Sequence, residues 1–347
     1  MKILILGSGG REHAFCWKLS QSKFSPQLFI APGNGGTAEL GENVDMDMND
    51  FSAIKEFCLS HKIEMVIVGP EEPLVNGVYD FFKKDEELKH IIITGPSAQG
   101  AQLEGSKAFS KKLMVKYGIP TAKYREFNAV NFEEGITYLE QHSLPIVLKA
   151  DGLAAGKGVL ICQNIAEAKE GFTEMIQKSK FGKAGSKVVV EEFLDGVELS
   201  VFIITDGVNY VLLPEAKDYK KIGVGDSGAN TGGMGAISPV PFATHHFMHK
   251  VEERIIQPTL SALRKEGIEY NGFIFFGLIK VDEEPIVIEY NSRLGDPETE
   301  VVLLRLKNDL VELFMAAHDQ TLDQVKIETD GRFAATIVAV SGGYPNE

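Results

Sequence analysis

Cysteine is scarce in this chain: Cys16, Cys58 and Cys162 are the only three among 347 residues, and no pair has CxxC spacing. Thiols so few and far apart exclude a disulfide framework and read as reduced, which places the protein in the cytoplasm. No apolar run approaches the roughly 18 residues of a membrane span. The four consecutive apolar residues Ile3 to Leu6 are too few for a signal-peptide core. Basic residues are also in deficit, 35 against 49 acidic, for a formal charge of −14. With no basic block to offset that field, nucleic acid and anionic lipid are excluded as partners. Internal repeats and low-complexity tracts are absent as well. What remains is an ordinary globular composition, 44% hydrophobic and 24% charged, at a length that suggests two or three domains of roughly 150 residues each.

From residue 1 to about 103, short Ile-, Leu- and Val-rich runs (Lys2 to Leu6, Gln27 to Ala31, Met65 to Gly69, His90 to Thr94) alternate with segments long enough for helical crossovers. This is the pattern of a parallel, doubly wound sheet. Several runs end in glycine-rich or Gly-Pro turns, where ligands of such sheets bind. A new unit follows Gly105: Ser106 caps a helix reaching about Tyr117, and Ile119-Pro120 breaks it. Pro145 to Ala150 and Gly158 to Cys162 read as strands, and Asn164 with Glu167 as a helix-opening capping box. Beyond Glu198 the sheet turns antiparallel, with Leu199 to Thr205 and Val208 to Leu213 flanking Asp206-Gly207. Phe273 to Val281 and Ile286 to Tyr290 form a second pair around Asp282 to Pro285.

Six stretches carry chemistry. Gly7-Ser8-Gly9-Gly10-Arg11-Glu12 follows a strand and opens a helix, so it reads either as a phosphate site at a helix N-terminus or as a tight turn. A nicotinamide fingerprint would need glycine where Glu12 stands. Lys149 to Gly158 fails as a P-loop, because Asp151 replaces its first glycine and Gly158 its Ser or Thr. Lying between two strands, it reads as a flap that closes over phosphates with Lys157, or as a plain hairpin with a surface lysine. Glu191 to Glu198 reads as a solvated edge, or as a segment whose backbone from Glu191 through Glu192 and Phe193 to Leu194 meets an adenine while Glu198 accepts ribose hydroxyls. In Ile286 to Glu298, Glu289 and Asn291 stand two apart on a strand and so share a face; their oxygens suit magnesium bridging phosphates, or mark an exposed strand end. Arg293 follows, a planar fork for a carboxylate or phosphate. Finally, Ala216 to Lys221 and Asn230 to Ala236 read as substrate-facing loops. His245, His246 and His249 lack an interleaved acidic partner and read as a solvated helix start.

In order and spacing these stretches resemble the ATP-grasp superfamily, and within it the phosphoribosylamine–glycine ligase family, along essentially the whole chain. The resemblance implies an α/β and α+β multidomain protein: an N-terminal Rossmann-like parallel sheet over 1–103, then an ATP-grasp fold with a mobile lid over 104–325, the lid at about 122–190. It implies an ATP-dependent carbon–nitrogen ligase of purine biosynthesis that joins glycine to 5-phosphoribosylamine through glycyl phosphate, as a monomer or weak dimer. By position, Lys107, Lys149 and Lys157 contact ATP phosphates; Glu191, Glu192, Phe193 and Leu194 meet the adenine, and Glu198 the ribose. Glu289 and Asn291 hold Mg2+ or Mn2+. Arg293, Lys149 and Asp218 take the catalytic roles, and Gly9, Gly10, Arg11, Glu12, Asp218, Gly232, Gly233, Met234, Arg293 and Asp296 face glycine and phosphoribosylamine. The loop Ala216 to Lys221 departs from the family's Gln-Asp-His-Lys-Arg form, which leaves Lys217 and Tyr219 without a role. Residues 326–347 read as the start of an incomplete C-terminal domain. Two other functions fit the same residues: another ATP-grasp carboxylate–amine ligase, and a nucleotide-binding but inactive fragment.

Overall fold

The computed structural model describes residues 1–153, 158–178, 187–225 and 227–345. Its first sheet is parallel throughout, in the order β3-β2-β1-β4-β5, from β1 (Lys2–Gly7), β2 (Gln27–Pro32), β3 (Glu42–Asn43), β4 (Met65–Val68) and β5 (Ile92–Thr94). Apart from β3, the strands are largely apolar because both faces are covered. Ile3, Ile5, Met65 and Ile67 pack into one core, while Leu4, Leu6, Val66 and Val68 pack into another with the helix Phe51–His61 and its neighbours. The four expected strands are present. The two-residue β3 carried no sequence signal of its own.

The second sheet is antiparallel and forms a compact unit: β6 (Tyr124–Asn128), β7 (Ile146–Ala150), β8 (Val159–Cys162) and β9 (Lys187–Glu192), ordered β6-β9-β7-β8. The helices Phe132–Gln141 and Ile165–Ile176 close over it around Phe127, Leu139, Leu148, Phe172 and Val190. Asn164 caps the second helix as expected, accepting from the Glu167 amide at 2.9 Å. Phe193 to Gly196 then link this unit to a third sheet, β11-β10-β14-β15, made of β10 (Val197–Thr205), β11 (Tyr210–Leu212), β14 (Gly272–Val281) and β15 (Glu284–Asn291). Both expected hairpins are there. The second is tighter than read, because Asp282 and Glu283 both adopt positive φ, 47° and 65°, and Glu284 and Pro285 already pair.

The stretches expected as loops are strands. Lys217–Gly223 is β12 and Ser227–Ser238 is β13, and with β16 (Ala334–Ile337) they make a fourth sheet. The glycines serve close approach rather than looseness: a Cβ on Gly235 would lie 2.5 Å from the Thr336 carbonyl oxygen. The segment read as the start of another domain thus contributes β16 to a sheet with β12 and β13. The helices Glu298–Arg305 and Leu310–His318 pack this part of the chain against β10, β14 and the N-terminal helix Gly10–Leu19. All three cysteines are free and buried. Among the described residues no helix is long and apolar enough to cross a membrane.

Candidate active site

The site gathers where the β6-β9-β7-β8 unit meets the β10-β14-β15 sheet, and β15 is its floor. An extra residue at Ile288 interrupts the β14–β15 ladder, shifting the register between Gly277↔Glu289 and Leu278↔Val287. The Ile288 carbonyl thereby accepts from Lys149 Nζ at 3.1 Å. Val287 is held from the other side, its amide donating to Pro120 O at 2.9 Å and its carbonyl accepting from Thr121 Oγ1, also at 2.9 Å. Beyond the bulge the pairing is regular, so Glu289 and Asn291 lie on one face. Gly277, opposite Glu289, leaves room for that side chain: a Cβ there would sit 2.9 Å from Glu289 Cγ.

Burial alone would push the Glu289 carboxyl up. Lys220, Lys149, Lys107 and Arg293 together hold it below its ordinary value instead. Lys107 comes from the first turn of the helix Lys107–Lys116, capped by Ser106 Oγ at 3.1 Å from the Phe109 amide. Asp151 secures the same helix end, accepting from Ser106 Oγ at 3.0 Å and the Ala108 amide at 3.1 Å. Lys107 Nζ donates to Gly152 O at 3.0 Å, and burial depresses its ammonium, opposed by Glu289. Lys149 on β7 is buried and reaches Glu191 Oε2 at 3.1 Å. Lys220 on β12 lies 3.4 Å from Asp218 Oδ2; burial opposes its charge, but Asp218, Glu289, Glu198 and Glu298 more than offset that and raise its pKa. Four cations therefore face one carboxylate, and three of them also hold carboxylates of their own: Glu191 beside Lys149, Asp218 beside Lys220, and Glu71 and Glu104 beside Arg293.

Arg293 is held by two carboxylates: Nε donates to Glu71 Oε2 at 3.1 Å, and Nη2 lies 2.9 Å from Glu104 Oε1. Its Nη1 donates to Leu294 O at 3.2 Å, so two of the five guanidinium N–H groups are left for a ligand. Glu104 also receives the Ser292 amide at 2.8 Å. Glu71 and Glu104 thus clamp the end of β15 to the N-terminal sheet, a role no motif announced. Asp218 is buried near Glu298, which Ser200 Oγ bonds at 3.2 Å. Burial first and Asp218 second push the Glu298 carboxyl up to about 7.

The N-terminal turn is satisfied by carboxylates. Glu12 Oε2 accepts from the Gly9 amide at 2.6 Å, Asp296 Oδ2 from the Arg11 amide at 3.2 Å, and Arg11 Nε lies 2.7 Å from Glu12 Oε1. Arg11 and Glu12 are both buried, and Arg11 Nη1 also donates to Leu294 O at 3.1 Å. Glu12 fills the space above the strand ends: a Cβ on Gly69 would lie 1.9 Å from its Oε1. At Gly10 a Cβ would meet Glu300 Oε1 at 2.4 Å.

The matches to known proteins follow the same division. Residues 1–104 match the phosphoribosylglycinamide synthetase N domain and residues 105–299 its ATP-grasp (A) domain. The chain belongs to this family. A phosphoribosylamine–glycine ligase of Vibrio parahaemolyticus is 46% identical over 348 residues, covering 99% of this chain and 80% of that one. A bifunctional purine biosynthetic protein of Pichia angusta is 45% identical over 352 residues, and there the chain spans 44% of the relative's length. The crystal structure of the Thermotoga maritima phosphoribosylamine–glycine ligase superposes with a TM-score of 0.82 at 36% identity, covering 100% of this chain and 82% of that one.

Within the phosphoribosylglycinamide synthetase frame, the residues singled out in the sequence fall into separate groups. Lys107, Lys149, Asp218, Glu289, Asn291 and Arg293 converge on the cleft. Glu191 and Glu192 end β9, and Phe193 and Leu194 open the link to β10; Glu192 Oε1 accepts from the Lys123 amide at 2.8 Å, Phe193 is exposed, and Glu198 is exposed on β10. Gly232, Gly233 and Met234 lie on β13, where Gly233 has φ 138° and a Cβ would meet Pro297 Cδ at 2.3 Å. Lys217 Nζ, 5.3 Å from the Tyr219 ring centroid, also reaches Glu198 O at 3.4 Å. His245, His246 and His249 lie in the helix His245–Val251, capped by Thr244. Lys157 and its neighbours 154–156, the centre of the expected flap, lie outside the described residues. Sequence reasoning missed Lys111, Lys220, Glu71, Glu104, Glu298 and Glu300. Lys111 could have been found, standing one helical turn after Lys107 on the same face.

Proposed function

We propose that this chain ligates glycine to 5-phosphoribosylamine with ATP, giving glycinamide ribonucleotide, ADP and phosphate, in the cytoplasm and as a monomer or weak dimer. The observation that carries the reading is the convergence of Lys107, Lys149, Lys220 and Arg293 on Glu289 at one strand end, which suits a polyphosphate with a bridging cation; family membership supplies the substrates. The working division is 1–103, 104–325 with the lid at about 122–190, and 326–347.

Lys107 and Lys149 take phosphate oxygens, with Lys220 beside them and Lys157 from the flap. The backbone from Glu191 to Leu194 meets the adenine, and Glu198 the ribose. Glu289 and Asn291 offer two oxygen donors on one face, and among the described residues no group of three or more His, Cys, Asp or Glu is gathered to hold a metal. Such a pair suits magnesium or manganese completed by nucleotide phosphates and water. Bound there, the ion neutralises charge on the transferring phosphoryl group.

The glycine carboxylate attacks the γ-phosphorus and ADP departs. The phosphoribosylamine nitrogen then attacks the glycyl carbon, phosphate leaves, and a proton is lost from nitrogen. No protein nucleophile is required, so positioning and electrostatics carry the reaction. Asp218 and Glu298, two buried carboxyls in one electrostatic field, are suited to take that proton. The free N–H groups of Arg293 face the glycine carboxylate. Gly9, Gly10 and Asp296, with Gly232, Gly233 and Met234, border the phosphoribosylamine: its amine and hydroxyls suit the carboxylates at the N-terminal turn, while its 5-phosphate needs a partner other than these carboxylates.

The test is ADP release with glycine and phosphoribosylamine supplied separately and together: sustained turnover requires both. Glycine labelled with heavy oxygen in its carboxylate passes one labelled oxygen into phosphate per amide formed. Amide without labelled phosphate overturns the acyl-phosphate route.

A further inference from the structure

Lys111, Glu191 and Lys149 form a buried triad in which one carboxylate oxygen serves two ammonium groups. Lys111 Nζ lies 3.0 Å and Lys149 Nζ 3.1 Å from Glu191 Oε2. All three side chains are nearly inaccessible, with relative exposures of 2%, 5% and 4% for Lys111, Lys149 and Glu191. The other oxygen, Glu191 Oε1, is buried without a hydrogen-bond partner. Lys111 is anchored on its far side, donating to Thr121 Oγ1 at 2.8 Å and to Ala122 O at 3.3 Å. Lys149 instead donates to Ile288 O, one residue from Glu289.

The geometry creates a conflict. A lysine paired one-to-one with a buried carboxylate is held tightly, and removing it leaves an uncompensated buried charge. A lysine meant for a nucleotide phosphate must be able to leave or share its partner. Lys111 resolves this: its ammonium sits on the same oxygen, so Glu191 stays compensated when Lys149 turns toward a ligand.

We propose that Lys111 is a positioning residue for Lys149: by sharing Oε2 of Glu191 it keeps Lys149 available to the nucleotide phosphates. This rests on the reading above that Lys149 contacts ATP, and the experiment separates the two claims. ATP dependence of ADP release, and binding of a non-hydrolysable ATP analogue, are measured for the wild type, Lys149→Met, Lys111→Met, Lys111→Arg and Lys111→Met with Glu191→Gln.

Lys111→Met leaves Glu191 to Lys149 alone, so KM and Kd for the nucleotide rise about tenfold while kcat stays within about twofold. Adding Glu191→Gln restores the triad's net charge of +1 and releases Lys149, bringing KM back to within about threefold of wild type, a rescue that lost packing would not show. Lys111→Arg keeps the charge and holds KM within about threefold even if the Met variant fails to fold. A tenfold rise in the Arg variant overturns the proposal, as does a Met variant with unchanged KM or one that Glu191→Gln does not rescue. If Lys149→Met itself leaves nucleotide binding and turnover untouched, the assignment of Lys149 to ATP has failed, and the proposal falls with it.

Discussion

Two regions of this molecule looked alike in sequence as places for phosphate, and the structure gives them different charged groups. At the N-terminal turn the amides of Gly9 and Arg11 are taken by Glu12 and Asp296, and Glu300 stands next to Gly10. At the β15 cleft, Lys107, Lys149, Lys220 and Arg293 converge on Glu289. The first region answers its own dipole with protein carboxylates; the second gathers four basic side chains, with their carboxylate partners, around one strand end. A glycine-rich turn before a helix therefore indicates backbone proximity, but its partners are set by Glu12 within the turn and by Asp296, 285 positions away. Asp296 and Glu300 belong to the far end of the chain.

The sharpest way to break the comparison is at the cleft. Glu289→Gln removes the charge on which four cations converge and turns a charged oxygen donor for a metal into a neutral one. Turnover is expected to fall by about 10²-fold or more at limiting magnesium, with the fold retained. Unchanged turnover at limiting metal would place the phosphates elsewhere.

Arg293→Lys comes next. The substitution loses the fork that spans Glu71 and Glu104, two carboxylates from the N-terminal part of the chain, while keeping the charge. A loss of about 1–3 kcal/mol is expected, because buried charges are left with poorer partners. Thermal unfolding without substrate measures it. The glycine requirement should rise more than the ATP requirement, through the two N–H groups not already engaged. A glycine effect with no loss of stability would mean that Glu71 and Glu104 contribute little.

The parts of this structure legible in sequence were those governed by local pattern. The apolar runs of β1, β2, β4 and β5, the Ser106 and Asn164 caps, and the Asp206-Gly207 hairpin depend on neighbouring residues. So does the face shared by Glu289 and Asn291, since strand alternation alone dictates it. Family resemblance carried the nucleotide reading further than any single stretch could. What stayed hidden depends on distant segments meeting. The Ile288 bulge that offers a carbonyl to Lys149 has no composition signal. The glycines of β13 mimic a loop because the need for them lies in β16 and Pro297. Glu71, Glu104 and Glu300 have no assignable role until the fold brings their partners to them.

The smallest expected effect tests the carboxylate-rich side of the comparison. Glu300 Oε2 is buried without a partner, and burial first and Asp296 second push its carboxyl up to about 8. Its unfolded-state value is near 4.5. Between those two pH values the folded protein keeps a proton that the unfolded chain releases. Folding stability from this group is therefore fully present below pH ~4.5 and declines as pH rises toward ~8. Glu300→Gln fixes the neutral form and removes that slope. Relative to wild type, the variant should gain on the order of 1–2 kcal/mol between pH 5 and pH 8.5. Glu298, raised to about 7 in the same region, keeps part of the decline in both proteins. Thermal midpoints measured across that range without substrate decide the matter: a difference between variant and wild type that does not change with pH would show that Glu300 is already ionised beside Asp296. The N-terminal turn would then hold more negative charge than its geometry accommodates, and the contrast with the cleft would be sharper still.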